Sequence, residues 1–141
     1  MPGFEVKIWG IKYKESNQSK CTRWICYKDG CRDVEVPCRF QEDELYEVIV
    51  HFTYPDVTKE EEMAILFCSD NVVYVISGII GRTVGSCTAF DELCRNEIQN
   101  SIDSINDGVE IMFHECLRKS GLSDDIILEC QVHVFVRESV I

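Results

Sequence analysis

Nine cysteines and three histidines are the side chains of this 141-residue sequence best suited to bind a metal or to act as nucleophile, acid or base. Cys21, Cys26, Cys31 and Cys38 fall within eighteen residues, a density that raises structural zinc. Zinc knuckles space their paired ligands roughly two to four residues apart. Cys21 and Cys26 are instead an odd number apart on one strand and so point to opposite faces. Cys26 and Cys31 flank Asp29-Gly30 and can meet across that turn, which makes them the candidate metal ligands. The spacing favours ordinary thiols over zinc. Cys87 is the candidate nucleophile, because a helix starting beside it lowers a thiol pKa and Gly85-Ser86 offers amides to an oxyanion. No base accompanies it in sequence.

The triplet His51-Phe52-Thr53 resembles one half of the paired His-x-Thr/Ser signature of two-histidine phosphoesterases. That resemblance implies one histidine as acid and one as base around a phosphodiester. His133-Val134-Phe135 supplies a second mid-strand histidine but no hydroxyl two residues on. His51 and His133 are therefore the acid and base candidates of a small hydrolase, with the second half-signature missing. His114 reads as a solvated helix histidine. The triplets Glu42-Asp43-Glu44 and Glu60-Glu61-Glu62 lack the Asp/Asn-Gly alternation of a calcium loop. Gly78, Gly81 and Gly85 lack the ending and spacing of a phosphate-cradling loop. No cofactor is implied.

Twenty-five acidic against fourteen basic residues give a net charge of −11. Phosphate neutralisation supplies most of the affinity for nucleic acid, so this balance argues against nucleic-acid binding and against anionic membranes. It favours a basic protein partner, with Asp103, Asp107 and Glu110, the Glu60-Glu61-Glu62 run, and the aromatic residues Trp9 and Tyr27 as candidate partner-binding positions. The sequence shows no run near the ~20 apolar residues of a membrane helix and no basic leader with an apolar core at its start. The expectation is an intracellular, cytoplasmic protein, whose cysteines are then reduced.

The elements that must position these residues follow from periodicity. Residues 4–13 alternate as a strand, with Phe4, Val6 and Ile8 on one face, Trp9, Ile11 and Tyr13 on the other, and a bulge near Gly10 where the apolar face changes over. Residues 21–36 read as a hairpin turning at Asp29-Gly30. Residues 45–54 are the clearest strand, with Tyr46, Val48, Val50, Phe52 and Tyr54 facing a core. Thr58 and Glu61 have capping-box spacing. The β-branched run at 72–76 nevertheless favours a hairpin with residues 63–68 over a helix. A long amphipathic helix, continuous or kinked near Gly108, carries the stripe from Phe90 to Cys116, is capped at Ser86 or Thr88, and stops at Gly121. A last strand starts near Leu128, with Cys130, Val132, Val134 and Val136 facing inward.

Strands first, a long helix late and a closing strand predict a single α+β domain over residues 1–141: two layers, a mostly antiparallel sheet with one long helix packed on one face. The other sheet face, bearing Trp9, Ile11, Ile25, Tyr27, Ile49, His51 and His133, is then solvated or an interface, which favours a homodimer or partner binding. The reading that follows is a non-catalytic acidic interaction module, an inhibitor, immunity or counter-defence protein or assembly adaptor. Its rivals are the small phosphodiester hydrolase and a homo-oligomeric structural subunit.

Overall fold

In a computed structural model, which describes residues 2–13, 21–36 and 44–140, the strand β4 (Glu44–Thr53) lies at the centre of the molecule. Its alternate residues Tyr46, Val48, Val50 and Phe52 are buried, as is Tyr54 just beyond it. β1 (Gly3–Tyr13) and β5 (Gln131–Val140) flank it as antiparallel neighbours, giving a three-stranded sheet in the order β1-β4-β5. β2 (Cys21–Tyr27) and β3 (Gly30–Val36) form a separate antiparallel pair. Their turn falls one residue earlier than expected, at Lys28-Asp29, and closes on Gly30 at φ 134°, a conformation that favours glycine. The polar break expected at residues 14–19, the strand end at Pro37, Cys38, and Glu42 and Asp43 lie outside the described residues.

The α+β class and the antiparallel sheet agree with the sequence reading. The helical layer is larger than expected, because two long helices cover the sheet: α1 (Lys59–Gly85) and α2 (Glu92–Lys119), followed by the short α3 (Asp124–Glu129). The hairpin expected at residues 63–76 is corrected to helix. Thr58 and Glu61 form the capping box, with Glu61 N–H donating to Thr58 Oγ1 at 3.2 Å and Thr58 N–H donating to Glu61 Oε1 at 3.0 Å. From there Ile65, Cys68, Val72, Ile76 and Ile80 recur at helical spacing and are fully buried. Helix propensities of Val and Ile lie only about 0.7 kcal/mol or less below Ala. Burying one such side chain returns about 1.5–3 kcal/mol, so packing decides the matter.

α1 is long and apolar enough to cross a membrane by length and composition, although the sequence had suggested no such segment; a third of that window is buried in the fold. Ser69, Asp70 and Asn71, the turn of the expected hairpin, interrupt the apolar run of α1. Ser69 is buried, with its hydroxyl donating to the Ile65 carbonyl at 2.7 Å, one turn back. Gly78 and Gly81 lie inside α1, where each costs about 1 kcal/mol relative to Ala. A Cβ at either position would meet open space, so packing within the chain does not require them.

α2 is continuous through Gly108 and is capped by Asp91, whose carboxylate accepts the Cys94 N–H at 2.9 Å, and not by Ser86 or Thr88. Ser86 instead caps the C-terminus of α1. α2 ends as expected at Gly121, φ 89°, where Leu122 N–H donates to the Leu117 carbonyl and Gly121 N–H to that of Arg118. Residues 124–129, expected to lead into the last strand, form α3, so Leu128 is exposed and β5 starts at Gln131.

The expected bulge in β1 occurs between Lys7 and Trp9, not at Gly10. One extra residue inverts the alternation, so Trp9, Ile11 and Tyr13 join Phe4 and Val6 against the core. The assignment of Trp9 and Ile11 to the outward face is thereby corrected.

Asn106, two residues before the possible kink at Gly108, has a structural task. Its side-chain amide donates to the Val134 carbonyl at 2.8 Å, and its Oδ1 accepts the Val134 N–H at 2.9 Å. It thus takes the place of a fourth strand at one point on the β5 edge. Asn106→Leu should destabilise the protein by about 2 kcal/mol, since both Val134 groups lose their partner. Asp107→Ala next to it should change stability by less than about 0.5 kcal/mol. Urea unfolding of the two variants checks this, and equal stabilities would remove the edge clamp from the account.

Candidate functional site

Strand register places the histidines together. His51 stands opposite His133 on β5 and opposite Glu5 on β1, so the three form one row across the sheet, on the face turned away from the helices. Directly opposed residues on antiparallel strands hold their Cβ atoms about 4.5–5.5 Å apart. His51 Nδ1 is 3.4 Å from Glu5 Oε1. Arg137, farther along β5, donates from Nη2 to both Glu5 oxygens at 2.9 and 2.8 Å. This hydrogen bond is the main reason the Glu5 carboxyl is held below its ordinary pKa. Phe135 stacks on the His133 ring at a centroid distance of 5.9 Å. Ile49, in register between Lys7 and Phe135, is buried although it points away from the helices.

An imidazole oriented by a carboxylate beside a second imidazole has the elements of acid–base chemistry. Here both rings stand on an open sheet surface, His133 exposed and His51 partly so. His114, expected in solvent, is instead half-buried, with Nε2 2.7 Å from the Cys130 carbonyl, so it ties α2 to the start of β5.

The other sequence candidates are dispersed. Cys87 is bonded to Cys94 across the α1–α2 connection, and Cys26 to its register partner Cys31 in the β2–β3 hairpin. A bonded sulfur is neither a nucleophile nor a zinc ligand in that state. A third bond, Cys68–Cys116, joins the early turns of α1 to the last turns of α2, and Cys130 is a free, buried thiol. Burial raises the Cys130 pKa to about 11. These six cysteines thus lie in pairs at bonding distance, against the expectation of reduced thiols: compartment decides which oxidation state persists, whereas the fold decides which sulfurs meet. Among the described residues, no group of three or more His, Cys, Asp or Glu side chains is placed to share a metal ion.

The candidate partner-binding acids are at the surface. Asp103, Asp107 and Glu110 lie one turn apart along the exposed side of α2, where Asp103 accepts a hydrogen bond from Gln99 at 3.0 Å and Glu110 lies 3.8 Å from His114. Glu60 and Glu62 are exposed at the start of α1, while Glu61 is engaged in the capping box. Tyr27 is exposed on the hairpin with the Arg32 guanidinium 4.4 Å from its ring centroid. Trp9 is half-buried, 5.8 Å from the Phe90 ring centroid.

A cluster that the sequence did not signal surrounds Phe90. Trp9, Tyr13 and Tyr46 pack around its ring, and the Arg95 guanidinium lies 5.1 Å from the Tyr13 ring centroid and 5.6 Å from that of Phe90. Beside it a cleft of about 390 Å³ opens between α2 and the end of β5, lined by Tyr46, Arg95, Asn96, Gln99, Val136 and Glu138. Burial pushes the Tyr46 hydroxyl up to about 12, so it remains protonated at neutral pH. These residues come from β4, α2 and β5, and no local spacing links them. No known protein family, curated protein or solved structure matches this chain.

The Glu5 pKa is depressed in the fold, so its contribution to stability is present above the ordinary carboxylate pKa and is lost as pH falls through the depressed value. Arg137→Ala removes the principal cause and should raise the Glu5 midpoint towards its ordinary value. A carboxyl-detected NMR titration reads this directly. An unchanged midpoint would mean that Arg137 does not hold the carboxylate in solution.

Proposed function

We propose that the protein is a non-catalytic, acidic interaction module, an inhibitor or adaptor that captures a basic protein. The observation that carries this reading is the surface of α2. From its first turn to its seventh, Glu92, Glu97, Asp103, Asp107, Glu110 and Glu115 are all exposed. The cation within that span, Arg95, is turned onto aromatic rings. A rigid helix spaces this charge over about 35 Å. Such a ridge speeds the encounter with a cationic surface and raises its affinity in a salt-dependent way. Solvation of an acidic face is the plainer role of the same residues, and the two are separated by mutation. The dispersal of the cysteine candidates into disulfides is in keeping with a binding role. The absence of nucleic-acid or anionic-membrane partners belongs to the same proposal, supported by the charge balance.

The variant Asp103→Lys, Asp107→Lys, Glu110→Lys should lower capture of a basic partner from host extract by about tenfold or more, while a comparable reversal at Glu60 and Glu62 reports on the start of α1. Affinity capture at low and high salt, with bound proteins identified by mass, makes the measurement. Capture that ignores both reversals and salt would sink this reading.

The register of His51 against His133 favours the hydrolase as the second reading. Phosphodiester cleavage above background, abolished equally by His51→Ala and His133→Ala in folded protein, is its expected result. Activity that survives both substitutions excludes the pair as its source.

A further inference from the structure

We infer that the outer surface of α1 is a self-association site, on which a second copy of this chain packs its own α1 antiparallel. Five of the ten large apolar side chains exposed among the described residues belong to α1, and the three most exposed of these are Met63 at 63%, Phe67 at 62% and Tyr74 at 82%. At 3.6 residues per turn these positions fall on one stripe, which continues through Asp70, Gly78, Gly81 and Gly85. The half of the stripe towards the helix N-terminus is bulky and the other half is bare backbone.

The spacing makes the stripe complementary to itself. Met63 and Gly85 are each eleven residues from Tyr74, Phe67 and Gly81 each seven, and Asp70 and Gly78 each four. A two-fold axis at Tyr74 therefore seats Met63 and Phe67 of one copy over Gly85 and Gly81 of the other, with the two Tyr74 rings meeting at the axis. Bulk falls on empty backbone at both ends, as an isologous interface requires. The glycines, which the chain's own packing does not need, are then the slots that admit the partner's side chains.

Charge selects the same direction. Antiparallel packing brings the acidic first turn of each helix, Glu60 to Glu62, towards the last turn of its partner, which carries Arg82. Parallel packing would set acid against acid. A contact along the ~33 Å from Met63 to Gly85 would bury on the order of 600 Å² per copy, at the lower end of specific interfaces.

A lipid bilayer is the other apolar medium that could cover the stripe, and the structure argues against it. The opposite side of α1 is built into the core through Ile65, Cys68, Val72, Ile76 and Ile80, so the helix cannot enter a bilayer without unfolding the domain. Symmetry about Tyr74 would also have no meaning for lipid.

The surface is distinct from the acidic ridge of α2, so its test does not depend on that reading. Sedimentation equilibrium of the intact protein over a concentration series should show a dimer. Gly81→Leu replaces a poor helix former with a good one at an exposed position, so the thermal midpoint of the monomer, read well below the wild-type Kd, should not fall, yet the filled slot should raise the dimer Kd at least tenfold. Tyr74→Ser should do the same through loss of the central contact. A wild-type protein that stays monomeric to hundreds of micromolar, or a dimer whose Kd neither variant changes, overturns the proposal. Flotation of the folded protein with phosphatidylcholine vesicles, lost in Tyr74→Ser, overturns it in favour of the membrane.

Discussion

The inward residues of β4, Tyr46, Val48, Val50 and Phe52, must be kept from water, and nearly every other feature of the fold serves that requirement. Three strands at about 4.8 Å spacing make a sheet wider than one helix of about 10–12 Å diameter can shield. A single helix would leave a strip of the apolar face wet, so the layer contains two, α1 and α2, antiparallel and bonded near both ends through Cys68–Cys116 and Cys87–Cys94. The bulge in β1 serves the same end, turning Trp9, Ile11 and Tyr13 inward to cover the far side of Tyr46 and Phe90.

A three-stranded sheet also has two edges, and the protein treats β5 with care. Asn106 engages both backbone groups of Val134, and His114 meets the carbonyl of Cys130, so α2 acts as lid and edge guard together. These contacts fix the sliding of α2 along the sheet, which apolar packing alone specifies weakly. They explain why a polar residue sits in the middle of a helix, two positions before a glycine.

Where one period ran unbroken, the sequence could be read correctly: β4, the inward face of β5 from Cys130, the α2 stripe from Cys94 to Val109 and the stop at Gly121, although Leu93, counted in that stripe, is exposed and Phe113 and Leu117 complete it. α1 was not legible by the same means. Its β-branched run at residues 72–76 has strand propensity, and its apolar character on both sides hides the helical period that Ile65, Val72, Ile76 and Ile80 in fact follow. The capping box at Thr58 was the correct local signal, outweighed by propensity. The site was legible only as single residues. The pairing of His51 with His133 depends on register between strands nearly eighty residues apart, and the cluster around Phe90 and Arg95 on the bulge in β1. Neither leaves a trace in local spacing. The cysteine pairs between helices were hidden by the misreading of α1.

The two helices that share one duty towards the sheet differ on their outer sides, and that difference has an electrostatic consequence. Packed helices lie about 8–10 Å apart, close to the screening length of about 8 Å at physiological ionic strength. The carboxylates of α2, on its far side, are thus more than one screening length from the outer stripe of α1, whose charged member is Asp70. A net charge of −11 therefore opposes contact at α1 far less than the total suggests. Contact at α2 is governed by the same charge in full. Burial of Met63, Phe67 and Tyr74 is strengthened by the salt that weakens ion pairing, so ionic strength separates what happens on one helix from what happens on the other.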